Sequence, residues 1–331
     1  MPNVAVTPPF HGRIRASEGS RSRGGLDYLR SEEGCQNPMT RMLLGLLLGI
    51  ASSALWSTNA GVPDAALSPA RRTVTAKDGL HLVCELRGRG DIALIFLHGW
   101  CGDREYWKHQ VNVFAPDYRV VTFDQAGHGE SGKDRKEWTM ASLASDVECV
   151  ADALELRRAI VVGHSMGGSV GLAAAARMPG RIVAVVGVDT LQNAQFKFPK
   201  ESVDKLLDGL SADFPRNVRG MFAELLPEQA NPELTSWLGS KAAAQDPKMA
   251  VALMVDLFGL NTKMLLREAN VPVRCINSAG GYRFYNPTTV EMNRQYADYR
   301  AVLIDNVGHY PMLEKPAEFN RQLRAVLAEF H

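Results

Sequence analysis

The chain has 331 residues, 46% of them hydrophobic and 22% charged, ordinary globular values that exclude a disordered or collagen-like chain. With 37 Lys and Arg against 36 Asp and Glu the formal net charge is +1, so no nucleic-acid partner is expected. Five cysteines without a C-x-x-C pair supply neither a zinc framework nor a dense disulfide scaffold, and no metal or cofactor is expected.

Residues 1–41 are rich in Arg, Ser and Gly. They read as a disordered extension or an over-extended reading frame whose true start is Met39 or Met42. Met42–Leu55 is an apolar, uncharged run directly after Arg41. It is shorter than the ~20 residues a transmembrane helix needs. It has the size of a signal-peptide core, with small residues suited to cleavage at Ser52-Ser53-Ala54 and Thr58-Asn59-Ala60. Residues 42–60 are therefore read as a signal peptide or N-terminal anchor, with a buried core helix as the bland alternative. The expected location is secreted or periplasmic, or membrane-associated through this segment. The folded domain is expected over residues 68–331.

Within that domain, Arg72–Thr75 and His81–Arg87, split by the turn Lys77-Asp78-Gly79, read as a hairpin. Ile92–Leu97 is wholly apolar, as a strand buried on both faces would be. A Trp-bearing helix is expected over Arg104–Phe114, then a strand at Arg119–Phe123 and an amphipathic helix at Met140–Leu154. Ala159–Val162 reads as a buried strand, Ser165–Met178 as an Ala-rich helix and Ile182–Val188 as a further strand. From Thr190 to about Ala269 the pattern is helical and interrupted by prolines. Alternation then resumes with Val271–Ile276 (strand), Thr288–Ala297 (helix), Ala301–Ile304 (strand) and Pro316–Phe330 (helix). Strands alternating with helices of this length predict an α/β fold. Its sheet is mostly parallel and covered on both faces, with a helical cap at about 190–269 after the sixth strand.

Gly163-His164-Ser165-Met166-Gly167 matches G-x-S-x-G between the strand Ala159–Val162 and the helix that follows, the placement of a nucleophile elbow. Small residues at Gly163 and Gly167 let a strained serine turn lie against strand and helix. The helix start directs free N–H groups at charge forming beside Ser165. The bland alternative is a glycine-rich turn kept for packing. Acyl transfer also needs oxyanion donors. The N–H of Met166 is one candidate, and that of Trp100, in the loop after Ile92–Leu97, is the other. Of eight histidines, His98, His128 and His164 each adjoin a glycine and read as loop-shaping. His309 follows a strand late in the chain, where a general base is expected.

These stretches carry a resemblance. FLHGW (96–100), FDQAGHGES (123–131), VVGHSMGG (161–168) and VGHYPMLEKP (307–316) look like the α/β-hydrolase superfamily in its capped branch of esterases, lactonases and cofactor-free haloperoxidase-like enzymes. Relatives that open epoxides or displace halide typically carry Asp at the elbow, so Ser165 disfavours both chemistries. The resemblance implies a carboxylate that orients His309, usually just after the strand Val271–Ile276, yet residues 277–286 contain no Asp or Glu. Some members carry the acid one strand earlier, where this chain has Asp189. The alternatives are that Asp189 caps the first cap helix, that Asp305 or Asp124 serves instead, or that Asn277 or Ser278 merely orients the imidazole. Met221, Met254 and Phe258 of the cap are candidate lining for a neutral, hydrophobic substrate. The expected activity is hydrolysis of carboxylic esters through an acyl-enzyme. Lactones of the acyl-homoserine type are the alternative substrate, then haloperoxidase or perhydrolase chemistry, and last a non-catalytic receptor.

Overall fold

The computed structural model describes residues 69–227, 229–279 and 290–330, within the compact unit Asn59–His331. The expectations for residues 1–41 and 42–60 lie outside the described residues, as does the start of the Thr288–Ala297 segment.

Eight strands form one sheet in the order β1-β2-β4-β3-β5-β6-β7-β8. They are β1 (Ala70–Thr75), β2 (His81–Arg87), β3 (Ala93–Leu97), β4 (Arg119–Phe123), β5 (Ala159–His164), β6 (Ile182–Val188), β7 (Val273–Ala279) and β8 (Tyr299–Asp305). The first two pairings are antiparallel and every later one is parallel. β3 and β5 are buried at every residue, because parallel strands covered by helices have no face left for solvent. The helices are α1 (Val111–Phe114), α2 (Met140–Ala153), α3 (Met166–Arg177), α9 (Val290–Asn293), α10 (Pro311–Glu314) and α11 (Pro316–Leu327), with five more, α4 to α8, in the cap. Thr139 and Ser142 close α2 with a reciprocal capping box.

Two segments depart from the sequence-based expectation. Arg104–Phe114 is not one helix but a 3₁₀ turn at Arg104–Trp107 followed by the single turn α1. Tertiary contacts override its helical pattern. Asp124 takes the Arg104 N–H at 2.9 Å, and the buried Gln110 amide reaches Asn320 at 2.9 Å and Met312 O at 3.2 Å. β7 starts later than expected and runs on to Ala279, its register with β8 holding through Asn277, Ser278 and Ala279.

The cap comprises α4 (Lys200–Ala212), α5 (Phe214–Glu224), α6 (Pro232–Ala243), α7 (Pro247–Gly259) and α8 (Thr262–Ala269), with no strand among the described residues 190–269. It lies over the C-terminal ends of the parallel strands. The Trp100 indole, in the loop after β3, donates to Ala250 O at 2.8 Å. The His309 N–H, after β8, donates to Leu225 O at 2.8 Å, and Lys241 of α6 pairs with Asp103 and Glu105. Ligand sites in open α/β sheets form at this edge. Among the described residues no single helix is long and apolar enough to cross a membrane. Cys84, Cys101, Cys149 and Cys275 are free thiols.

Candidate active site

Ser165 stands between the end of β5 and the first residue of α3 with φ 51° and ψ −118°. A non-glycine residue held there stores on the order of 1–3 kcal/mol of strain, which persists only where the surroundings impose it. The surroundings do so here. A Cβ at Gly163 would fall 2.2 Å from Gly167 O, and one at Gly167 would fall 2.6 Å from Leu97 O, so neither position admits a side chain. The Ser165 N–H donates to Val188 O at 3.0 Å, tying the turn to the end of β6.

One residue beyond Val188 is Asp189, 2% exposed. Its Oδ2 lies 2.7 Å from His309 Nδ1. Its Oδ1 accepts the Ser278 N–H at 2.9 Å and the Gln192 amide at 3.0 Å. A carboxylate can only accept, so Nδ1 of neutral His309 carries the proton and Nε2 presents its lone pair. Asp189 does not cap a helix, since α4 begins after Pro199. Asn277 Oδ1 accepts the Thr190 N–H at 3.2 Å, and the Ser278 hydroxyl donates to Val307 O at 2.6 Å. Asp305 is exposed at the end of β8. Asp124 shapes its own turn, accepting the N–H groups of Arg104 and Glu130.

The two halves meet at His164, the residue before Ser165. Its Nε2 donates to His309 O at 2.8 Å, and the two imidazoles lie 4.7 Å apart. Gly99 closes the site from the β3 side, since a Cβ there would come within 3.2 Å of Ser165 Cβ. The loop bearing Trp100 is held by two buried histidines. His128 Nε2 accepts the Cys101 N–H at 3.3 Å, and His98 Nε2 accepts the Gln125 N–H at 3.0 Å. Burial pushes His98 down to about 4 and His128 down to about 3, so both remain neutral acceptors. Met166 opens α3, where the first N–H groups have no partner within the helix.

The Trp100 ring reaches into the cap, 6.2 Å from Phe214 and 6.1 Å from Phe222, and Phe222 also approaches Tyr310 at 6.1 Å. The three lining candidates all belong to cap helices. Met221 is half-buried in α5 and Met254 is buried in α7. Phe258 packs 5.0 Å from Phe198 in an aromatic row that continues to Phe196 at 4.9 Å. Sequence reasoning passed over the hydrogen bonds of His164 and Glu314 around His309, and Phe214 beside Trp100. Among the described residues no group of three or more His, Cys, Asp or Glu side chains could hold a metal ion.

The family described as "alpha/beta hydrolase fold" matches residues 92–246. A dihydrolipoyllysine-residue acetyltransferase component of the acetoin cleaving system from Pseudomonas putida is 33% identical over 141 residues, 41% of this chain and 38% of that protein. A non-heme chloroperoxidase from Streptomyces lividans is 32% identical over 151 residues, 43% of this chain and 55% of that protein. The chain thus spans little more than half the length of these relatives, or less. An esterase structure from Exiguobacterium antarcticum superposes with a TM-score of 0.70 at 18% identity, over 78% of this chain and 100% of the esterase.

Proposed function

We propose that this chain, which matches the alpha/beta hydrolase fold family over residues 92–246, is a serine hydrolase cleaving carboxylic esters through an acyl-enzyme. The observation that carries this reading is a strained serine at a helix start, bonded to Val188 O next to the buried Asp189, whose carboxylate holds the half-buried His309 at 2.7 Å. Ser165 Oγ attacks the ester carbonyl while His309 Nε2 takes its proton. Asp189 keeps Nδ1–H as the bonded tautomer and stabilises the imidazolium. The N–H groups of Met166 and Trp100 donate to the tetrahedral oxyanion. His309 then protonates the departing alcohol. A water molecule, deprotonated by the same Nε2, attacks the acyl carbon and releases the acid.

The aromatic cluster that Trp100 and Tyr310 form with Phe214 and Phe222 of the cap supports a neutral, hydrophobic ester of modest size. The apolar run Met42–Leu55 supports export or anchoring of the enzyme. Ser165→Ala tests the reading: p-nitrophenyl butyrate turnover should fall by roughly three or more orders of magnitude. Turnover that persists in the variant overturns it.

A further inference from the structure

We infer that Glu314 and His164 are positioning residues that clamp the main chain on either side of His309 and so aim its imidazole; this rests on His309 being the general base. The Glu314 carboxylate, at the end of α10, accepts the Gly308 N–H through Oε2 at 2.8 Å and the Tyr310 N–H through Oε1 at 3.0 Å. Those are the amides immediately before and after His309. Each oxygen serves one donor, and a side-chain amide in the same pose would set its NH2, a donor, against one of the two N–H groups. Burial lifts Glu314 above the usual carboxylate value, while these two amides pull it back down.

The His309 carbonyl is held from the other side by His164 Nε2–H at 2.8 Å. The His164 ring also sits 5.1 Å from Tyr310 and 6.1 Å from Tyr106. A Cβ at Gly99 would fall 2.6 Å from its Nδ1. One ring therefore touches the base and the Trp100 loop, on the residue directly before Ser165. Burial, reinforced by the charge on His309, holds His164 well below the ordinary histidine value. It therefore stays a neutral donor while His309 carries the reaction's proton. With the peptide planes around His309 fixed, only the side-chain torsions remain free, and the Asp189 bond sets those.

The test compares full-length Glu314→Gln, Glu314→Ala, His164→Gln and His164→Phe with the parent. It reads kcat and KM on p-nitrophenyl butyrate per titrated active site, and the low-field Nδ1–H proton resonance of His309. Glu314→Ala and His164→Phe should lower kcat by up to about 100-fold, as a misaimed base does, with KM within about twofold, and should shift the resonance. His164→Gln, which keeps a donor, should recover most of the loss, and Glu314→Gln should fall between Glu314→Ala and the parent. Parental kcat and an unmoved resonance in folded Glu314→Ala and His164→Phe would overturn the clamp. Turnover that persists in Ser165→Ala would instead overturn the serine-hydrolase reading. The resonance would still decide the clamp in that case, because it needs no turnover.

Discussion

Asp189 joins parts of the chain that lie far apart in sequence, 120 residues from His309 and 89 from Ser278. Replacing it by Asn leaves the volume unchanged but turns one acceptor into a donor. With the Oδ1 side still held by the Ser278 N–H and the Gln192 amide, the new NH2 faces His309 Nδ1 and drives the imidazole to the wrong tautomer. Asp189→Asn should lower kcat roughly 10⁴-fold while circular dichroism still reports cooperative melting. A near-parental kcat would assign the acid role elsewhere. Ser165 and His309 were legible in the sequence because their signals are local: glycines two residues either side of a serine after an apolar strand, and a late histidine after another strand. Asp189 was legible only through the family resemblance, as the acid one strand earlier than usual, because nothing in the sequence marks that β7 runs on to Ala279 and brings the Ser278 N–H to its carboxylate. The contacts of His164 and Glu314 left no signal at all. Their partners are main-chain groups, which any residue supplies.

Among the elements, the stretch Leu225–Pro227 after α5 packs onto the loop that carries His309. A Cβ at Gly308 would fall 2.5 Å from Leu225 O and 2.8 Å from Leu226 Cα, so cap and base loop sit at main-chain contact. Gly308→Ala must push them apart. It should cost about 1–3 kcal/mol of stability by urea unfolding and lower kcat/KM by more than about tenfold through the displaced base. An unchanged kcat/KM would mean that the cap yields without moving His309. That the cap is helical was readable from its apolar spacing and its prolines, several of which open helices rather than break them: Pro232 and Pro247 both begin one. The short turns around Trp107 were not readable. Asp124, Asn320 and Met312 fix that segment from distant positions.

At the scale of the molecule, the apolar runs of β3 and of β5 at Ala159–Val162, set between helices, sufficed to give the parallel sheet, since only strands buried on both faces lack polar alternation. The three buried histidines His98, His128 and His164 add a pH dependence that their glycine-flanked positions did not reveal. Each is held below the ordinary value of 6.5. As pH falls below that value the unfolded chain takes up protons that the folded one refuses, so stability is lost with acid. With folded values of about 4 and about 3, His98 and His128 should each cost about 2 kcal/mol at pH 5 relative to neutral pH. Urea unfolding across this range checks the slope, which should be shallower in His98→Gln. A flat profile would mean that these rings accept protons in the folded state.

The most direct test of the site is labelling of the folded chain with a fluorophosphonate, followed by peptide mass spectrometry. One adduct on Ser165, lost in His309→Ala, is the outcome expected of a serine activated by that imidazole. A folded protein that takes no label, or takes it at another residue, would contradict the account.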